Sequence, residues 1–140
     1  MWQCYNMGII WGNPVAMGRP RMTRGGRAYT PIKSREYMND AIEQIKRQWD
    51  GKPMLANQPL RLHLVFVHPR PKRIASNERT PKMTKPDLDN LIKMVMDSLT
   101  KSEIWIDDNI VTEINATDWY ANSYEPPHVM YSIYTKQPPF

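Results

Sequence analysis

From Leu60 to Val67 the chain alternates Leu60, Leu62, Leu64 and Phe66 with Arg61, His63, Val65 and Val67. Alternation with a period of two predicts a β-strand, here with one apolar face and one only partly so. Runs of a different period lie on either side. Met38, Ala41, Ile42, Ile45 and Trp49 fall at helical spacing, as do Leu88, Leu91, Ile92, Val95, Met96 and Leu99. Both predict helices with a single apolar stripe. The first is opened by Thr30-Pro31, read as a cap followed by a first-turn proline, and stopped by Gly51 and Pro53. A one-sided strand between two one-sided helices buries its apolar face only if the helices lie on the sheet.

Three further strands complete the pattern. Trp2 to Trp11 mixes aromatic and apolar residues and closes at Gly12-Asn13-Pro14; Ile110, Thr112, Ile114 and Ala116 alternate after the polar corner Asp107-Asp108-Asn109; and Val129, Tyr131 and Ile133 alternate in His128 to Thr135, before a proline-rich tail. The expected fold is α+β: one mixed sheet with two main helices packed on it. At 140 residues the chain fits a single domain, 1–140, and thirteen prolines imply long irregular connections. The outer face of the first helix, with Glu36, Asp40, Glu43, Lys46 and Arg47, reads as ordinary solvated surface.

Charge is segregated along the chain. Residues 13–33 carry Arg19, Arg21, Arg24, Arg27 and Lys33 with no acid; residues 68–86 carry Arg70, Lys72, Arg73, Arg79, Lys82 and Lys85 against Glu78 alone. Each segment is therefore +5 in a chain whose net charge is +5, which leaves −5 for the rest. Two basic loops on an acidic body suit a polyanion, whose phosphates lysine and arginine neutralise with release of counterions. A single cysteine, Cys4, excludes an internal disulfide and a cysteine-rich metal cluster. No stretch has the apolar length of a membrane span and no leader pattern opens the chain, so a cytoplasmic protein with no membrane partner is expected.

The chemically dense segment is Lys85-Pro86-Asp87-Leu88-Asp89-Asn90-Leu91-Ile92-Lys93, followed by Asp107-Asp108. Asp87 and Asp89 flank a core-facing leucine at a helix start, so both reach one exposed corner. Lys93 follows Asp89 by one turn, and the strand preceding Asp107 brings the chain back towards the helix. Clustered carboxylates repel one another unless they are protonated or hold a cation. An all-oxygen set suits Mg²⁺ or Mn²⁺ better than Zn²⁺, and His63, His68 and His128 show no paired ligand spacing. The same residues also fit a plainer reading: Asp at a helix start is a common cap, Asp-Asp-Asn a common turn, and Lys93 a partner for Asp89. Acids suited to a metal beside bases suited to phosphates favour the first reading.

Lys85 to Lys93, then Asp97-Ser98-Leu99 and Ile104-Trp105-Ile106-Asp107-Asp108-Asn109-Ile110-Val111, resembles the defining block of the RusA-type Holliday junction resolvases, or crossover junction endodeoxyribonucleases. Gly18-Arg19-Pro20-Arg21-Met22-Thr23-Arg24 and Gly26-Arg27-Ala28-Tyr29-Thr30-Pro31 resemble that family's other recurring segment. The resemblance implies a homodimer, often encoded by a phage or prophage, that resolves four-way DNA junctions by paired symmetric cuts using Mg²⁺, with Mn²⁺ as a substitute. By position it places metal-binding and catalytic roles on Asp87, Asp89 and Asp108, a neighbouring acidic role on Asp107, and the essential lysine on Lys93. DNA contact falls to Arg19, Arg21, Arg24 and Arg27, joined by Lys72, Arg73 and Lys85 from the second loop. A two-fold dimer presents two equivalent sites to a junction of approximate two-fold symmetry. Trp119, Tyr120 and Tyr124 are candidates for the dimer contact or, equally, sheet and core residues. Met83 is the nearest candidate for an apolar wedge at the junction centre. Two alternatives remain: a nuclease acting on flaps or forks, and a DNA-binding module of the same fold that does not cleave.

Overall fold

In the computed structural model, residues 1–73 and 76–138 are described. Two residues of the second basic loop and the last two of the proline-rich tail lie outside them. The elements run β1 (Trp2–Trp11), β2 (Arg21–Met22), β3 (Ala28–Tyr29), α1 (Ile32–Trp49), β4 (Leu60–His68), β5 (Thr80–Pro81), α2 (Leu88–Lys101), a 3₁₀ turn (Asp108–Ile110), β6 (Val111–Tyr120) and β7 (His128–Lys136). β1, β7, β4, β6 and β5 form one sheet in that order, with β4 and β6 parallel and the other pairings antiparallel. The sheet is therefore mixed, and α2 is the crossover that a parallel β4–β6 pair requires.

The alternation in β4 sets the layers. Leu60, Leu62, Leu64 and Phe66 are at most 1% exposed. Leu62, Leu64 and Phe66 lie opposite Ile133, Tyr131 and Val129 of β7. This surface packs on Ala41, Ile45 and Trp49 of α1 and on Leu91, Val95 and Leu99 of α2, in one continuous core with Ile104 and Trp105. The far face carries Arg61 over the Trp2 ring at 4.6 Å and His63 against Tyr134 at 4.8 Å. Its partly polar sequence matches that half-exposed position.

Both expected helices form, and the start of α1 differs in detail. Pro31, not Thr30, occupies the N-cap position, without a side-chain cap bond. Its extended backbone (ψ 145°) directs the chain into the helix, and its carbonyl accepts from Arg35 N at 3.1 Å. Glu36, Asp40, Glu43, Lys46 and Arg47 are exposed, as read from the sequence. Gln44 and Gln48 act differently from those neighbours. Each amide makes a donor and acceptor pair with the outer edge of β1: Gln48 with Ile9 at 2.6 and 2.7 Å, and Gln44 with Trp11 at 2.8 and 3.2 Å. A helix thus closes a sheet edge that would otherwise show unpaired backbone groups.

The loops contain structure that period analysis does not reach. The first basic loop folds back as the β2–β3 hairpin, pairing Arg21 with Tyr29 and Met22 with Ala28. In the second, β5 pairs with the end of β6. Trp119 and Tyr120, at that end of β6, are half-buried sheet residues, whereas Tyr124 is 83% exposed.

Candidate functional site

The site grows out of the first turn of α2. Asp87 holds the N-cap position in an extended conformation, yet its side chain makes no cap bond. Its carbonyl accepts from Leu91 N at 3.2 Å. Its carboxylate faces Lys85 Nζ at 3.8 Å. Asp89 is exposed, and its Oδ1 accepts only from the adjacent Asn90 N at 3.0 Å. Neither acid therefore serves as the helix cap that its position suggests, and both carboxylates point to solvent with spare lone pairs.

From Asp89 a stripe continues down α2 through Lys93, Asp97 and Lys101, each one turn from the last. Asp108, on the 3₁₀ turn before β6, meets this stripe at its middle. Its carboxyl is held above the ordinary aspartate range, first by local desolvation, then by the hydrogen bond and like charge of Asp107, then by the charge of Asp97; Lys93 pulls the other way. The structure therefore gathers Asp107, Asp108, Asp97 and Lys93 in one electrostatic neighbourhood. Asp87 and Asp89 sit one to two turns earlier on the same helix. Lys93 forms no ion pair with Asp89 among the described residues.

Asp97 is a residue that functional reading of the sequence left without a role. The signal was present, since Asp89, Lys93 and Asp97 are spaced four apart and share one helix face. The donor set fits a hard divalent cation: carboxylate oxygens only, with no cap bond at Asp87 and only an exposed Lys85 near its carboxylate, and like-charge strain at Asp108 that a cation relieves. Among the described residues, however, no three Asp, Glu, His or Cys side chains converge closely enough to form a finished metal site. An ion held here would have to draw carboxylates together across the first turns of α2.

The arm before α1 is held between α1 and α2. Met17 N donates to the Asn90 carbonyl at 3.0 Å; Ser34 Oγ accepts from Gly18 N at 3.0 Å and donates to the Ala16 carbonyl at 3.2 Å. Gly18 suits this close approach, because a β-carbon there would lie a tight 3.0 Å from the Pro31 ring and 3.1 Å from Ser34 Oγ. The arm places Arg19 over a cavity of about 540 Å³ between α1 and α2, which Lys93 and Asp97 also line. Arg21, Arg24 and Arg27 extend away from it on the exposed hairpin.

The second basic loop divides its cations between two tasks. Arg70 donates to the Ala121 and Glu78 carbonyls and to Thr80 Oγ1. Arg79 grips Glu125 through two bonds, at 2.8 and 3.0 Å. The Lys82 side chain is 4% exposed and donates to the Thr84 and Pro86 carbonyls at 2.6 and 3.2 Å, with Asp118 Oδ2 at 3.8 Å. These three shape the loop. Lys72 and Arg73 are exposed and remain available to an anion; Lys85 is exposed beside Asp87, and Met83 is 92% exposed four residues before Asp87.

An exposed acidic corner flanked by basic loops on a mixed α+β sheet suits a polyanion as partner. The family pattern described as endodeoxyribonuclease RusA matches residues 12–130, and the chain belongs to that family. Its members resolve Holliday junctions and act on branched DNA. A relative from Bacillus subtilis (strain 168), described as "Uncharacterized protein YqaN", is 28% identical over 124 residues, covering 80% of this chain and 85% of its own. Among the described residues no helix is long and apolar enough to cross a membrane.

Proposed function

We propose that this protein is a divalent-metal-dependent, structure-selective endonuclease that resolves Holliday junctions by paired, symmetric phosphodiester hydrolysis, as a homodimer of one RusA-like domain spanning residues 1–140. Asp87, Asp89 and Asp108, with Asp107 beside them, would hold Mg²⁺ or, in its place, Mn²⁺. Such an ion supplies charge neutralisation at the scissile phosphate and a more acidic attacking water. Lys93 binds and orients the phosphate from the next turn of α2. Arg19, Arg21, Arg24 and Arg27 hold the backbone from the arm and hairpin, and Lys72, Arg73 and Lys85 from the second loop. The setting is the cytoplasm of a bacterial cell, with a phage or prophage as the source of the gene.

The observation that carries this reading is the pair of exposed carboxylates at the head of α2 that do not cap it, Asp89 lying one turn before Lys93, which lines a basic cavity. Caps and ordinary turns would have used those side chains in the fold; a non-cleaving binder gains nothing from bare negative charge beside DNA. The test is to incubate the protein with a labelled mobile four-way junction, a fork and linear duplex, with Mg²⁺, Mn²⁺ or EDTA, alongside Asp89→Asn. Metal-dependent paired nicks in the junction, absent in the variant, are expected. Tight junction binding without cleavage under either metal sinks the catalytic reading. Faster cutting of the fork selects the branched-DNA alternative, and equal cutting of linear duplex removes structure selectivity.

A further inference from the structure

The cavity between α1 and α2 has an unusual lining. Arg19 comes from the arm, Arg35 from α1, and Lys93 and Lys101 from α2, with Asp97 as the one acid among them. None of these four cations forms an ion pair among the described residues. The walls therefore carry a net charge of +3 in a concave space of about 540 Å³, where fields focus and like charges raise one another's energy. Elsewhere the chain spends Arg70, Arg79 and Lys82 on carbonyls and carboxylates to shape a loop.

The row also has a direction. Lys93 and Lys101 are eight residues apart on one face of α2, which is about 12 Å along a helix rising 1.5 Å per residue. A DNA strand places one phosphate about every 3.4 Å along the duplex axis, so the row spans roughly three of them. Arg35 faces Lys101 and Lys93 across the cavity from the first turn of α1, and Asn39 adds an amide one turn further on.

We propose that this cavity is a phosphate cradle for the DNA strand leaving the acidic corner, with Arg35 and Lys101 as its outer ligands. The proposal rests on the nuclease reading and adds to it two residues that neither the basic loops nor the acidic block contains. Asp97 keeps Lys93 and Lys101 apart on the stripe and repels any phosphate seated directly against α2, so the strand rides on the side chain ends.

The test is binding of a fluorescent four-way junction by anisotropy in EDTA, from about 50 to 200 mM salt. Each lost phosphate contact lowers the slope of log affinity against log salt by about 0.9. Arg35→Ala with Lys101→Ala should lower the slope by about two and weaken binding at least about tenfold at the middle of that range. Arg35→Lys with Lys101→Arg should restore the slope, and Lys46→Ala on the outer face of α1 should leave it unchanged. Both cradle positions are exposed, so the variants should melt with the wild type. A double alanine variant with wild-type slope and affinity, while the wild type still binds and cuts junctions, overturns the cradle alone. Failure of the wild type to bind any branched DNA overturns both the cradle and the nuclease reading.

Discussion

Lys82 illustrates how a cation in a basic loop can serve the site without touching DNA. Its ammonium is almost wholly buried, holds the Thr84 and Pro86 carbonyls, and lies beside Asp118, which His68 Nε2 also contacts at 2.7 Å. Lys82→Met keeps the length and apolar stem and removes the charge. Hydrogen bonds to a charged group contribute about 1.5–3 kcal/mol each, and two are lost here together with a longer ion pair. The buried ammonium's desolvation cost disappears with it, so a net loss of about 3 kcal/mol is expected. For a chain of this size that is roughly 10 °C in the melting midpoint. The segment Thr84–Pro86, which leads directly into Asp87, loses its anchor, so junction cleavage should fall together with stability. The salt slope of DNA binding should stay at the wild-type value, since Lys82 offers no free ammonium to a phosphate. Urea unfolding, cleavage rate and anisotropy on one preparation distinguish these effects. A slope reduced by about one, with the midpoint within about 2 °C of wild type, would refute the structural role and make Lys82 a phosphate ligand.

Further tests address other parts of the molecule. Gln48→Ala leaves the Ile9 N–H and C=O on the β1 edge without their partner and should cost about 1–2 kcal/mol by urea unfolding; a change below about 0.3 kcal/mol would mean that water replaces the amide. Asp97→Asn should shift the acid limb of the cleavage profile to lower pH, because its charge helps hold the Asp108 carboxyl up. An unmoved limb removes Asp97 from the site. Glu125 is held below the ordinary glutamate range chiefly by its hydrogen bond from Arg79. Its contribution to stability is therefore present above the unfolded glutamate pKa and lost as pH falls through the depressed folded value. Arg79→Gln should abolish that part of the acid sensitivity. The effect should be under about 1 kcal/mol because the pair is partly exposed, and identical wild-type and variant melting curves from pH 6 down to 3 would discard it.

The large elements were legible because burial enforces period. Leu60 to Phe66, the α1 stripe ending at Trp49 and the α2 stripe ending at Leu99 all face one core, and each reads correctly from spacing alone. The β2–β3 and β5 pairings were not legible, since strands of two residues have no period to read. At the site, sequence marks the acids and bases but not their employment. Arg70, Arg79 and Lys82 look like Lys72, Arg73 and Lys85 until their acceptors arrive from residues as distant as the Ala121 carbonyl and the Glu125 carboxylate. Asp97 lay on a visible stripe, yet its link to Asp108 depends on where the turn before β6 lands. Arg35 becomes interesting only once α1 and α2 are side by side.

The bond that ties the arm to α2 has a thermodynamic consequence. Asn90 follows Asp89 directly, and its carbonyl is the one that Met17 N holds. The arginine-bearing arm and the acidic turn are therefore tied through one backbone bond, so that what steadies one steadies the other. Whatever factor a bound junction adds to the carboxylates' grip on a cation, the cation must return to the grip on the junction. Calorimetric titration of metal with and without an uncleavable junction measures that shared factor from either side.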